Sequence, residues 1–252
     1  MNPSKTCYLF FDFDGTVYTD HKIADETMNA MKAVQAMGHK FILNTGRSYG
    51  EAMLSPVLFE VPWDGFVLGA GDIRYRGREL LSATVPIEDA EQWMYYCMRH
   101  RFDLVYGGQE GAVFYRFHSH PEPFSETEIA DCISTLRAES FKNPLTKLTI
   151  LQKPNPTDLP KTDQNVILQH YADIFPKGCD KGSAICRFCR ETGAPLAQCI
   201  CFGDSLNDID MFRVCPTSVC MNTAPTELID LATYHATTNL GVAEGLQYLF
   251  GI

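Results

Sequence analysis

The sequence predicts an α/β protein, a doubly wound Rossmann-like parallel-sheet core interrupted by an inserted α+β unit. Three observations carry that expectation. Short continuous apolar runs alternate with helical periodicity near both ends of the chain, the pattern of buried parallel strands and crossover helices. Several of those runs stop at small polar residues and glycine, where open α/β sheets collect their ligands. Between them, strands of alternating polarity replace the continuous runs.

The first run, Cys7-Tyr8-Leu9-Phe10-Phe11, reads as a central strand and ends in Asp12-Phe13-Asp14-Gly15-Thr16. Ile23 to Met37 has helical spacing, with Gly38 as its stop, and Lys40-Phe41-Ile42-Leu43 is a strand ending in Asn44-Thr45-Gly46-Arg47-Ser48. Strand, helix and strand within about forty residues form a βαβ unit, so the two strand ends are expected side by side. A helix from Tyr49 to about Leu58 and a strand Gly65-Phe66-Val67-Leu68 continue the pattern.

Ile73 to Val85 then reads as a hairpin or pair of short strands around Arg76-Gly77-Arg78, and Glu88 to His100 as an amphipathic helix. Phe102 to Tyr106 and Ala112 to Phe117 alternate as antiparallel strands, Glu126 to Ala138 is a helix, and Leu145 to Leu151 and Val166 to His170 are strands. A helix followed by two strands thus occurs twice, which suggests internal symmetry. The doubly wound text resumes with a helix Lys181 to Thr192 closed by Gly193, then a strand Cys199-Ile200-Cys201-Phe202 running into Gly203-Asp204-Ser205-Leu206-Asn207-Asp208. A helix Asp208 to Val214, a strand Ser218 to Met221, a helix Pro225 to Leu231 and a last helix Gly245 to Phe250 complete the chain. The expected domains are a core of residues 1–82 and 176–252 and a cap of residues 83–175.

A chain of 252 residues, 45% hydrophobic, can bury a substantial core. Its formal charge of -10 and pI near 5.1 argue against nucleic acid or an anionic membrane as partner. Met1-Asn2-Pro3-Ser4-Lys5 leads into the first strand with no signal-peptide pattern, and no stretch approaches a membrane span, so a cytoplasmic protein is expected. The ten cysteines follow strands and helices, which reads as reduced thiols. Cys186-x-x-Cys189 with Cys199 and Cys201 could suggest zinc, but no second C-x-x-C or histidine pair completes a ligand set.

Three strand ends present hydroxyl or carboxylate groups: Asp12 and Asp14, Thr45, and Asp204 with Asp208, while Lys181 opens the helix before the last of these. Two acids one residue apart repel unless a cation or proton separates them. A calcium loop is excluded because Thr16-Val17-Tyr18 lacks the later oxygen ligands. An all-oxygen set without histidine or cysteine suits Mg²⁺, which keeps few protein ligands and readily takes a phosphate oxygen. Such a site could let one carboxylate attack phosphorus while its neighbour handles protons.

Asp12-Phe13-Asp14-Gly15-Thr16, Asn44-Thr45-Gly46-Arg47, Lys181 and Gly203-Asp204-Ser205-Leu206-Asn207-Asp208 together resemble the four ordered motifs of the haloacid dehalogenase-like (HAD) superfamily, most closely its Cof-type, class IIB sugar-phosphatase branch. The resemblance covers roughly residues 5–80 and 176–250. It implies Asp12 as nucleophile and Asp14 as general acid/base. Thr45 and the Gly46 backbone would bind phosphoryl oxygens, Lys181 would neutralise them, and Asn207 would touch substrate. Mg²⁺ would be held by Asp12, Asp204 and the backbone oxygen of Asp14, with Asp208 as ligand or support. Arg47 is left open between a structural and a substrate-side charge. Many relatives carry Asn-Gly-Ala after the third strand where this chain has Gly69-Ala70-Gly71, which puts that substrate contact in doubt.

About thirty residues separate Asp14 from Thr45, room for one helix only, whereas the stretch from Thr45 to Lys181 holds a domain, most economically a lid. The expected function is a Mg²⁺-dependent phosphomonoesterase acting on a small phosphorylated metabolite, as monomer or homodimer. The alternatives are a phosphotransferase or mutase using the same aspartyl phosphate, and a phospho-accepting regulatory module. Within the cap, His118 and His120 read as satisfied or solvent-facing, Trp93, Tyr95 and Tyr96 as helix packing, and Tyr106 to Gln109 as a link that could reach substrate.

Overall fold

The computed structural model describes residues 5–120 and 122–252. Met1-Asn2-Pro3-Ser4, which carried part of the signal-peptide argument, and Pro121 lie outside the described residues. The chain divides into two compact units. One gathers the stretch up to Gly46 with Ser55–Leu81 and Asp180–Ile252; the other joins Arg47–Leu54 to Ser82–Cys179.

The first unit begins with β1 (Tyr8–Phe11), α1 (Asp25–Ala36) and β2 (Lys40–Thr45). After β3 (Gly65–Leu68), β4 (Asp72–Tyr75) runs antiparallel to it, and the link Arg76-Gly77, both residues at positive φ, leads to β5 (Arg78–Ser82). In the second unit α2 (Tyr49–Met53) accompanies α3 (Ile87–His100), β6 (Leu104–Gly108), β7 (Ala112–Tyr115), α4 (Glu126–Lys142), β8 (Leu145–Ile150), β9 (Asn165–Leu168) and β10 (Ala172–Phe175). The first unit then resumes with α5 (Lys181–Thr192), β11 (Cys199–Gly203), α6 (Ile209–Val214), β12 (Thr217–Cys220), α7 (Thr226–Ile229), β13 (Tyr234–His235) and α8 (Gly241–Phe250).

The first unit's sheet has the order β13-β12-β11-β1-β2-β3-β4-β5, and β13 through β3 pair in parallel. Alternation along its strands sends Phe10, Ile42 and Cys201 to one face, where they pack with Ala184, Ile185 and Phe188 of α5 and Met211 and Phe212 of α6. Phe188 is the hub: its ring meets Tyr8, Phe10 and Tyr75 at centroid distances of 6.2, 5.3 and 5.1 Å. On the opposite face Phe11 stacks on Phe202 and meets Phe41 and Trp63. Gly245 lets α8 seat there, since a Cβ would lie 2.6 Å from Val219 and 3.0 Å from Phe202.

The second unit's sheet, β7-β6-β8-β10-β9, buries Leu104, Tyr106, Leu148, Ile150 and Ile174 against Trp93, Met94 and Cys97 of α3 and Leu136 of α4. Its neighbouring residues on β8 and β10 carry a buried polar group instead: Lys147 Nζ lies 2.9 Å from Asp173 and 3.6 Å from Glu51 of α2, and Thr149 donates to Asp173 at 2.7 Å. Glycine makes α2's seat possible. A Cβ on Gly50 would lie 2.1 Å from the Gly111 backbone, and one on Gly107 would lie 2.4 Å from Ser48 Oγ. This docking is why residues 47–54 group with the inserted stretch and not with the strand that precedes them.

Several elements differ from the sequence expectation. The helix predicted from Tyr49 to Leu58 stops at Met53, because Ser55 precedes Pro56 and leaves the helical region at φ -124, ψ 82; a 3₁₀ turn Pro56–Phe59 follows. β10 was not expected, since a four-residue run containing Asp173 reads as a loop until Lys147 is seen beside it. It also breaks the proposed repeat, because α4 is followed by three strands. α4 runs on to Lys142, and α8 starts at Gly241.

The residues of the second unit singled out in the sequence make local contacts. Tyr106 is fully buried and its hydroxyl donates to the Asn143 carbonyl, so it is part of the second unit's core; Gln109 donates to Ser82 Oγ. Trp93 and Tyr96 are buried and donate to Thr162 and Asp158, whereas Tyr95 is exposed. His120 stacks on Phe124 and lies 3.5 Å from Glu128.

Candidate active site

β1 lies between β2 and β11, so the chain reverses its winding direction at this strand. Ligands of open α/β sheets bind outside the carboxyl ends of strands at such a reversal. Asp12 follows β1 directly, its N–H donating to the Phe202 carbonyl at 2.9 Å; Thr45 closes β2 and Asp204 follows β11. These three residues are therefore placed by strand register.

Beyond Asp12 the chain turns back at once. The Phe13 carbonyl accepts N–H groups of Thr16 and Tyr18 at 3.2 and 2.9 Å, and Gly15 N–H donates to Tyr18 at 2.9 Å. Gly15 has φ +86, and a Cβ there would lie 2.4 Å from Asp204 Oδ2, so glycine is required both for the turn and for the acid beside it. The turn leaves Asp14 exposed to solvent while Asp12 is buried.

Lys181 is the first residue of α5, whose N-terminus is capped by Asp180 accepting from Ser183 N–H at 2.6 Å. Its ammonium lies 2.7 Å from Asp12 Oδ1, 2.5 Å from Asp208 Oδ1 and 3.3 Å from Asn207 Oδ1. The second oxygen of Asp208 accepts from the N–H groups of Asp204 and Ser205 at 2.9 and 3.1 Å. Asp208 therefore ties the lysine to the loop that presents Asp204. Gly203 makes room for it, as a Cβ there would lie 2.6 Å from the Asp208 carboxyl carbon. Asn207 Oδ1 also accepts from Ser205 Oγ at 2.8 Å.

Two further residues belong to this arrangement. Thr16 Oγ1 donates to Asp204 Oδ1 at 2.9 Å, and Asn44 Nδ2 donates to the Lys181 carbonyl at 3.1 Å, linking the end of β2 to the start of α5. Both sit within the sequence motifs, but only the fold shows what they touch. Thr45 is buried and Gly46 half-buried at the end of β2, and Arg47 groups with the second unit.

Burial pushes the Asp12 carboxyl well above the usual carboxylate range; Lys181 opposes this, while Asp208 and Asp204 add to it. Burial and Asp208 likewise raise Asp204, with the Thr16 hydrogen bond and Lys181 pulling it down. For Lys181, burial favours the neutral amine, but Asp12 and Asp208 outweigh it and hold the pKa above the ordinary lysine value. Oxygen atoms of Asp12, Asp204 and Asp208 lie within 4.8 Å of one another, close enough to share a metal ion. Three carboxylates against one ammonium leave a formal surplus of two negative charges, which a divalent cation would cancel. The all-oxygen donors fit a hard cation. The four cysteines considered for zinc form no comparable group among the described residues.

A buried acid paired to a lysine, a carboxylate cluster able to hold a metal ion and an exposed acid at one strand end are together suited to hydrolysis of an anionic ester. A family model described as haloacid dehalogenase-like hydrolase matches residues 9–246, and the chain belongs to that family. Proteins similar to this chain carry phosphatase names. An HMP-PP phosphatase of Serratia proteamaculans is 25% identical over 249 residues, covering 88% of this chain and 85% of the relative. A solved HAD phosphatase from Bacteroides thetaiotaomicron has a TM-score of 0.78 at 20% identity, covering 98% of this chain and 96% of that one. A solved HAD subclass IIB sugar phosphatase gives a TM-score of 0.77 at 20% identity, covering 98% and 100% of the two chains. Among the described residues no helix is long and apolar enough to cross a membrane.

Proposed function

We propose that this protein is a Mg²⁺-dependent phosphomonoesterase that cleaves a small phosphorylated metabolite through an aspartyl-phosphate intermediate on Asp12. The observation that carries this reading is the Asp12–Lys181–Asp208 chain beside Asp204 at the winding reversal of the sheet. The relatives named HMP-PP phosphatase and sugar phosphatase support a small organic phosphate as substrate class.

In this reading Asp12 attacks phosphorus through a carboxylate oxygen, with Lys181 opposing the effect of burial, which favours the protonated acid. Thr45 and the Gly46 N–H bind phosphoryl oxygens as charge builds on them. Asp14, exposed one residue beyond Phe13, donates a proton to the departing alkoxide and later removes one from the water that opens the acyl phosphate. Asp208 positions Lys181, and Asn207 adds a polar contact to the lysine and to the substrate side. Mg²⁺ would be held by the carboxylates of Asp12 and Asp204 and the backbone oxygen of Asp14, and when bound would offset the repulsion between an anionic nucleophile and an anionic ester. Asp208 already spends its oxygens on Lys181 and two N–H groups, which favours a supporting role over direct ligation. The inserted stretch, taken as 83–175 with the core at 1–82 and 176–252, has its own hydrophobic core and is assigned the choice of leaving group.

The test is phosphate release from an aryl phosphate and a panel of metabolite phosphates, with Mg²⁺ and with EDTA. Metal-dependent turnover is expected in the native protein, and a loss of at least about 10³-fold in Asp12→Asn with an unchanged circular dichroism spectrum. An active Asp12→Asn enzyme would remove the nucleophile from the mechanism, and turnover unaffected by EDTA would remove the metal.

A further inference from the structure

The cysteines set aside as a zinc site are not scattered. Cys189, in the last turn of α5, and Cys199, the first residue of β11, hold their sulfurs 3.4 Å apart without a bond between them. The two chain segments that bring them together are fixed independently of this contact. Gly193 closes α5 with its N–H on the Cys189 carbonyl at 2.9 Å, and β11 is held by its register against β1, with Cys199 opposite Tyr8. The sulfurs therefore meet because the helix–strand connection is short and both ends are anchored. Cys199 is fully buried, Cys189 is partly open to solvent, and Cys186, one turn earlier on α5, is exposed.

We propose that Cys189 and Cys199 form a thiol–disulfide site, closed by a hydroperoxide, that reversibly staples α5 to β11. Sulfur atoms already in contact need only a small further approach to reach bonding distance. Either thiol can donate in this contact; it lowers the pKa of Cys189, the more accessible sulfur, while the same contact and burial raise that of Cys199, whose thiol also reaches the Pro195 carbonyl at 3.7 Å. The Cys189 thiolate attacks the peroxide, breaking its O–O bond and releasing alkoxide or hydroxide, and becomes a sulfenic acid. Cys199 then attacks that sulfur; its proton leaves with the sulfenic hydroxyl as water, and the S–S bond forms. Two electrons pass from the thiol pair to the peroxide. The negative end of the α5 dipole faces Cys189, so the reaction is expected to be slow beside that of a helix-N-terminal cysteine.

The site lies at the opposite ends of α5 and β11 from Lys181 and Asp204, and it is independent of the phosphatase reading. The experiment treats the full-length protein with hydrogen peroxide, blocks remaining thiols with iodoacetamide, and maps non-reduced peptides by mass spectrometry. The expected result is a peptide pair joined through Cys189 and Cys199, lost on dithiothreitol and absent from Cys189→Ser and from Cys199→Ala. Cys186→Ser should still form it. A Cys186–Cys189 link, over-oxidation of Cys189 with Cys199 still alkylatable after unfolding, or no change in either residue would each overturn the proposal. Because Cys189→Ser alters a partly exposed position, its melting curve under reducing conditions provides a folding control.

Discussion

Replacing Lys181 by Met tests whether the ammonium supports the buried Asp12 carboxylate. At an effective dielectric near 20, each of its contacts, at 2.7 Å to Asp12 and 2.5 Å to Asp208, corresponds to about 6 kcal/mol of attraction before desolvation is counted. Desolvation of all three groups consumes much of this, and removing one partner of a buried pair typically costs about 3–5 kcal/mol. A loss of that size at pH 8 is expected for Lys181→Met, with little phosphatase activity remaining. The pH dependence is the sharper reading. Asp12 already has a raised carboxyl pKa in the native fold, and without the lysine the charged form loses its main support. An acid whose folded pKa lies above its unfolded one binds protons preferentially in the folded state, so it destabilises the fold as pH rises through that window. The stability gap between native protein and variant, followed by urea unfolding without metal, should therefore narrow as pH falls from 8 toward 5. Mg²⁺ should also recover more stability in the variant at pH 8 than at pH 5, because it supplies the missing positive charge. A gap below about 1 kcal/mol, or one that stays constant across this range, would refute the account of a lysine-supported carboxylate.

Gly15→Ala places a Cβ 2.4 Å from Asp204 Oδ2 at a backbone φ of +86; the expected outcome is about 1–2 kcal/mol of lost stability from the backbone alone and a weaker Mg²⁺ dependence of turnover, measured by thermal melting and metal titration. Glu244 accepts hydrogen bonds from Tyr234, Thr237 and Thr238 at 2.7–3.0 Å, and although burial opposes it these bonds pull its pKa down to about 2. A depressed carboxyl contributes stability above its unfolded pKa and loses it as pH falls toward the folded one. The melting-temperature difference between native protein and Glu244→Ala should therefore be full at pH 6 and shrink as pH falls through roughly 4.5 toward 2; an unchanged difference would assign the effect to packing.

The sequence by itself determined which strands end in chemistry. Asp12 follows an apolar run directly and Thr45 and Asp204 come one residue later, after Asn44 and Gly203, so their arrival at one sheet edge needs only parallel pairing, and that information is local. Only the tertiary structure decided how Asp208 is used, because its partner Lys181 comes from another element and their meeting depends on the approach of α5 to the loop after β11. It also decided that residues 47–54 belong with the inserted unit, since Gly50 and Gly107 permit a close approach that no local propensity encodes. Likewise β10 and the Cys189–Cys199 contact escaped a reading by pattern: a strand carrying a buried acid, and two thiols from different elements, become meaningful only when their partners are placed beside them. Periodicity reports which face of a segment is buried, whereas ion pairs, thiol pairs and glycine-mediated contacts depend on which segments are brought together.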